Sequence, residues 1–368
     1  MNRARLAAFR SLLKSTASGS YSNLETEATL RSEALSDADR NLYNRLYLGV
    51  IEKKITLDYL LSRISTAPLH TMEPEVLCVL ELGAYQILYL DRIPDHAAIF
   101  ESGEIAKVFC RHALPLINAV LRRISNEKDT IFSLLDQPGK KGLSLRLGYP
   151  KHLITLWQDA YGKETALAIM EAQNARAPLT LRINTLKITL KDYASLLTDR
   201  GIAHHQNPIC RQGITLEENQ NPTQLPGFEE GLFFVQDAAA QRAVDLLEAK
   251  PGHKVLDLCA APGGKSFGAA MDMEGIGSIL SIELHPSRTK LIEEGAHRLG
   301  ISILKAESGD STVPNEAHRG SFDRVICDVP CSGYGVIAKK PDIRHKNKEE
   351  ADTLPPVQKA FSFSLLGV

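Results

Sequence analysis

What the chain has little of narrows the reading first. A single Trp among 368 residues, with 6% aromatics overall, offers few rings on which nucleic-acid bases could stack. The 43 basic and 44 acidic side chains leave a formal net charge of -1, so attraction to a polyanion has to come from a local patch. No apolar run reaches the ~20 residues that a membrane-spanning helix needs. The start, Met1-Asn2-Arg3-Ala4-Arg5-Leu6, has no apolar core of signal-peptide length. The six cysteines, at 78, 110, 210, 259, 327 and 331, lack the paired spacing of a zinc knuckle. Cys327 and Cys331 are four apart, but no further His or Cys completes a metal set beside them. A cytoplasmic, metal-free protein in a reducing compartment, with no membrane partner, is the expectation.

What is present centres on Val255-Leu256-Asp257-Leu258-Cys259-Ala260-Ala261-Pro262-Gly263-Gly264-Lys265. The first four residues read as a buried parallel strand, apolar except for one acid. Small residues, a proline and two glycines follow, and Ser266-Phe267-Gly268-Ala269-Ala270-Met271 then reads as a helix start. Strand, tight glycine turn and helix N-terminus present backbone N–H groups to a nucleotide-like ligand. The bland alternative is any strand–loop–helix joint. The spacing is neither the G-x-G-x-x-G fingerprint nor a P-loop.

Further strand-like stretches repeat the arrangement. Ser278 to Glu283 ends in an acid about twenty residues past the loop, where a doubly wound sheet places the carboxylate that takes ribose hydroxyls. Glu283 could instead cap the helix from Pro286, but its position favours the ligand. Ile301 to Ala306 is a third strand, followed by Asp310, and Phe322 to Gly333 gives a fourth strand and a second loop beyond its carboxyl end, Asp328-Val329-Pro330-Cys331-Ser332-Gly333. Ahead of this region the chain reads as helices up to about residue 138, with Leu6, Phe9, Leu12 and Leu13, then Leu42, Leu46, Val50 and Ile51, at helical spacing. Ser36 or Asp37 is a plausible cap for the second set, and Pro94 punctuates the fourth helix. Pro138-Gly139-Lys140-Lys141-Gly142 marks a linker, and Ala177 to Lys187 alternates as a strand. Asp237 is placed to cap the helix that starts at Ala238.

The string Asp-Leu-Cys-Ala-Ala-Pro-Gly-Gly-Lys at 257–265 resembles the first cofactor motif of the RNA cytosine-5 methyltransferases that use S-adenosylmethionine, the family of the bacterial 16S rRNA methyltransferase B. Glu81 to Pro94 and Leu116 to Arg123 are similar to the NusB-type RNA-binding helical domain carried by several of these enzymes. The resemblance implies a fold of α plus α/β class: a NusB-like bundle at 1–138, a small RNA-facing α+β subdomain at 143–230, and a Rossmann-like methyltransferase sheet at 231–368. It implies cofactor contacts from Cys259, Ala260, Ala261, Pro262, Gly263, Gly264 and Lys265, with Glu283, Asp310 (toward the adenine amine) and Asp328. Small-subunit rRNA would be the partner of a monomer. Arg122 and Arg123, with Arg111 and His112, could face phosphates or simply solvent. Arg182 and Asn184 stand at matching RNA-facing places, Arg182 with a salt bridge as its structural alternative. Basic residues in Gly335 to Arg344 could also track phosphates.

The chemistry follows from cytosine. Its carbon 5 is a poor nucleophile until a thiolate adds at carbon 6, and a base must later remove the carbon-5 proton. In the family resembled, the attacking cysteine follows a Thr in a later motif and the Pro-Cys thiol assists release, so Cys331 inherits the release role beside Asp328. No cysteine follows Cys331, and the likeness stops near Ala360. Only four of the family's seven strands can be counted, which points to a truncated copy with an open apolar sheet edge and impaired activity. A non-catalytic RNA-binding protein with a degenerate methyltransferase fold is the alternative. A nucleotide-dependent oxidoreductase leaves the Pro-Cys-Ser-Gly loop unexplained.

Overall fold

The computed structural model describes residues 1–18, 22–175, 177–218 and 220–365. The chain forms two compact units. One comprises Met1–Arg176 with Gly333–Lys348, the other Ala177–Ser332 with Glu349–Val368.

The first unit is helical. Ser36 caps the 28-residue helix Asp37–Ile64, its hydroxyl accepting from the Asp39 amide at 3.2 Å. Pro74 occupies the first turn of Pro74–Tyr89, and Pro94 caps Asp95–Phe109, positions where a missing N–H costs nothing. Leu46 and Val50 of Asp37–Ile64, Leu80 and Leu82 of Pro74–Tyr89, and Ile117 and Leu121 of a helix at Leu114–Asn126 share one core. Helices at Gly139–Leu147, Lys151–Tyr161 and Lys163–Asn174 also belong here, past the boundary expected at 138. The Thr56 hydroxyl explains part of this, donating to the Leu145 carbonyl at 2.6 Å. Gly333–Lys348 joins the same unit because Ile337 and Ile343 pack with Tyr149, Leu153 and Trp157.

The second unit holds two four-stranded sheets. In the first, β1 (Leu179–Ile183), β2 (His204–Gln206), β3 (Gly213–Leu216) and β4 (Phe233–Val235) run in the antiparallel order β2-β3-β1-β4. Because Leu181 pairs with Val235 and Ile183 with Phe233, this sheet continues beyond the boundary expected at 230. Leu181, Ile183, Tyr193 and Phe233 form its own core. The second sheet comprises β5 (Lys254–Asp257), β6 (Ser278–Glu283), β7 (Leu304–Ser308) and β8 (Arg324–Ile326). It is wholly parallel, in the order β7-β6-β5-β8, with helices Gly264–Asp272 and Pro286–Leu299 packed on it through Phe267, Ala270, Ile292 and Leu299. The apolar surface expected to lie bare near β8 is partly covered: Phe361, from helix Leu354–Leu365, packs with Leu256, Leu258 and Ile282. Among the described residues no helix is long and apolar enough to cross a membrane.

Candidate active site

All four strands of the parallel sheet point the same way, so their carboxyl ends share one edge. The chain leaving β5 stays bonded to both neighbours: the Leu258 amide donates to the Ile326 carbonyl and the Ala260 amide to the Ile282 carbonyl, each at 3.0 Å. It then turns through Gly263, whose amide donates to the Ala260 carbonyl. Gly263 has φ +104°, and a Cβ there would sit 2.3 Å from the Phe267 ring. Only glycine holds that turn without strain. Helix Gly264–Asp272 starts at once, its first-turn N–H groups lacking intrahelical acceptors.

Carboxylates gather round this turn. Glu283, at the tip of β6 and 5% exposed, accepts from the Ala261 amide, the His285 amide and Arg288 Nη1, each at 3.3 Å. Arg288 Nη2 donates to the Ala261 carbonyl at 3.1 Å, so one guanidinium ties the loop to the acid. Asp328, past β8 and exposed, forms an ion pair with Lys265. Asp310 lies beyond β7, next to Gly309, whose amide donates to the Glu283 carbonyl at 3.0 Å. The Asp310 carboxylate accepts from the Thr312 hydroxyl and amide, which holds its carboxyl below the usual range. Asp257 is buried beneath the loop, accepting from the Ser266 hydroxyl at 2.7 Å and the Cys259 amide at 3.4 Å, and burial pushes its carboxyl up to about 6.

The thiols divide by exposure. Burial raises Cys78 and Cys259 to about 12 and Cys110 to about 11, and raises Cys210 and Cys327 as well. The charges of Cys327, Asp257, Glu283 and Asp328 push Cys259 further in the same direction. Cys331 alone among the six is exposed, on the loop beyond β8.

Two expected RNA contacts are corrected. Arg182 and Asn184 are 1% and 0% exposed, so neither faces a surface. Arg182 takes the salt-bridge alternative, with Asp272 at 3.1 Å, and Asn184 donates to the Gly231 and Leu299 carbonyls at 2.8 Å. Arg344 is likewise withdrawn from solvent, its guanidinium over the Tyr149 ring and bonded to the Glu52 carbonyl at 3.1 Å. Arg111, His112, Arg122 and Arg123 are exposed on the helical unit. Asp237 caps its helix through the Ala239 amide at 3.0 Å.

Arg288, Ser266 and Gln236 were not singled out from the sequence. Gln236 Nε2 donates to the Gly264 carbonyl at 2.9 Å. Only the acid at 257 in an apolar strand and the Glu283–Arg288 spacing hinted at this supporting layer. A cleft of about 1080 Å³, lined by Arg211, Asp245, Lys250 and Asp272, uses residues that precede β5 and end the following helix, so it opens at the opposite edge of the sheet.

Comparison with known proteins places these parts together. The NusB family model matches residues 2–126, the Methyltr_RsmF/B-like, ferredoxin-like domain 149–223, and 16S rRNA methyltransferase RsmB/F 244–363. The chain is 35% identical over 348 residues to the probable ribosomal RNA small subunit methyltransferase B of Bacillus subtilis (strain 168), covering 93% of this chain and 76% of that one. With the ribosomal RNA small subunit methyltransferase B of Pseudomonas putida it shares 34% over 354 residues, 95% and 78% of the two chains. Among solved structures, PH0851 superposes with TM-score 0.76 at 21% identity, covering 97% of this chain and 82% of that one. A methyltransferase homolog protein from Pyrococcus horikoshii gives TM-score 0.54 at 29% identity, covering 63% and 73%.

Proposed function

Because this chain belongs to the 16S rRNA methyltransferase RsmB/F family, we propose that it directs methylation of carbon 5 of a cytosine in small-subunit rRNA with S-adenosylmethionine as donor. The observation that carries the proposal is the shared strand edge, where Gly263 turns at φ +104° with the Glu283 carboxylate on the Ala261 amide. The residues fit such a ligand: the turn leaves no room for a Cβ on its inner side, and an acid stands at the next strand tip. Cys259 to Lys265 would hold the amino-acid part, Glu283 the ribose and Asp310 the adenine amine, with Asp328 close to Lys265. The donor, when bound, supplies an electrophilic methyl group on a sulfonium.

The rest of the chemistry belongs to the chain and the base. A thiolate adds to carbon 6, carbon 5 takes the methyl, a base removes the carbon-5 proton, and the thiolate leaves. Cys331, exposed beyond β8, takes the release role. These 368 residues contain no cysteine after it to attack carbon 6, so the 368-residue polypeptide assayed alone binds cofactor and RNA but turns over slowly. Calorimetry and transfer of labelled methyl to small-subunit rRNA test both halves. Cofactor binding weakened about tenfold by Glu283→Gln, with little label transferred, is the expected result. Rapid transfer abolished by Cys331→Ser would make Cys331 the attacking thiol. RNA affinity without any cofactor binding would favour the non-catalytic reading.

A further inference from the structure

The small antiparallel sheet and the residue that follows it reach the helix that begins at the cofactor turn, through side chains that the reading above leaves unused. Arg182, on β1, donates from Nη2 to the Gly268 carbonyl at 3.3 Å and to the Asp272 carboxylate at 3.1 Å, and from Nε to Gln212 Oε1 at 3.2 Å. At the other end of the same helix, Gln236 holds the Gly264 carbonyl. Gln236 is itself held, its own carbonyl accepting from Gln241 Nε2 at 3.1 Å. Positions 264, 268 and 272 are spaced by four, one stripe along a helix of 3.6 residues per turn. Gly268 completes the fit. A Cβ there would lie 2.6 Å from Arg182 Nη1, so the guanidinium lies directly on the helix backbone.

A buried charge is a costly way to fill space, since an apolar side chain of similar volume packs at no such desolvation penalty. What a guanidinium adds is a rigid fork. Here Nη2 holds two groups one turn apart on the helix while Nε is fixed on Gln212, which sets both the rotation and the axial slide of the helix. The cofactor turn is the start of that helix, and binding geometry of this kind is sensitive to displacements of about 0.5 Å. We propose that Arg182 is a positioning residue for the cofactor turn, holding helix Gly264–Asp272 in register from the antiparallel sheet while Gln236 holds its first turn. The inference rests on the S-adenosylmethionine reading above.

Asn184 supplies the internal control. It lies two residues on, just past the end of β1, and is equally buried, yet its bonds go to Gly231 and Leu299, off that helix. The experiment is calorimetric titration of S-adenosylmethionine into the full 368-residue chain and its variants, with thermal melting alongside. Arg182→Met weakens cofactor binding about tenfold, Arg182→Lys recovers part of the loss, and Asn184→Ala lowers Tm while leaving Kd within twofold. Should Arg182→Met not fold, Gln236→Leu, which frees the other end of the stripe, gives the same weakening in a folded protein. Wild-type Kd in the folded Arg182 and Gln236 variants, or equal weakening by Asn184→Ala, overturns the proposal. Absence of binding to the unmodified chain would instead overturn the cofactor reading and this inference with it.

Discussion

The two four-stranded sheets of the second unit treat their polar residues in opposite ways. On the parallel sheet, acids expected near a ligand do stand at neighbouring strand tips, with Glu283 on the Ala261 amide and Asp328 on Lys265. On the antiparallel sheet, Arg182 and Asn184 were expected at a surface and are buried. The reason is topological. Parallel strands all deliver their carboxyl ends to one edge, so position along the chain is nearly position in space. In an antiparallel sheet, the face a side chain takes depends on register and on what packs over it. Leu181 and Ile183 fill the sheet's own core, and the alternation sends Arg182 and Asn184 to the other side, where helices Gly264–Asp272 and Pro286–Leu299 cover them.

The sharpest way to break this contrast is at the turn itself. Gly263→Ala forces a left-handed backbone on a residue with a Cβ and drives that atom into Phe267, whereas a Cβ at Gly264 meets nothing nearer than 3.5 Å. We expect Gly263→Ala to cost about 2–4 kcal/mol, and Gly264→Ala less than about 1 kcal/mol. Urea unfolding of the two variants decides it. Equal stabilities would mean the turn does not depend on the glycine conformation described.

A second effect, comparable at its upper limit, concerns the acid beneath the turn. Asp257 is 1% exposed and burial raises its carboxyl from 3.8 to about 6. The folded protein therefore keeps a proton that the unfolded chain releases between about pH 4 and 6. Stability from this group is present below pH 4, falls as pH rises through that window, and is flat above it, a change of about 3 kcal/mol. Asp257→Asn should remove that slope. Urea midpoints at pH 4 and pH 7 for both proteins test the sign, and a slope unchanged in the variant would mean that another group carries it.

How much of this could be read from residues alone follows the same division. The helical unit was legible because apolar spacing, Ser36 and Pro94 are local signals, and each sits where expected. The cofactor turn was legible because its small residues, glycines and following acid each have a short-range reason. Arg288 and Gln236 were not, since each acts on backbone more than twenty residues away in the chain. Arg344, expected among the basic residues of Gly335 to Arg344 that could track phosphates, is buried for a related reason. The cation–π contact of Arg344 with Tyr149 is nearly two hundred residues long in sequence, and no local pattern announces it.

The smallest expected effect separates surface arginines from buried ones. Arg122 and Arg123 lie on helix Leu114–Asn126, exposed, with Arg123 already donating to Glu127 and to the Ile64 carbonyl. If they meet phosphates, each contact releases counterions, and log K falls with log salt by ~0.7–0.9 per contact. Replacing both with Ala should then lower rRNA affinity only several-fold at moderate salt, while flattening the salt dependence by between one and two contacts. Arg182→Met should leave that slope untouched, because a side chain 1% exposed has no counterions to release. A flattened slope in the Arg182 variant would return that residue to the RNA surface, and an unchanged slope in the double variant would leave Arg122 and Arg123 as a solvated helix face.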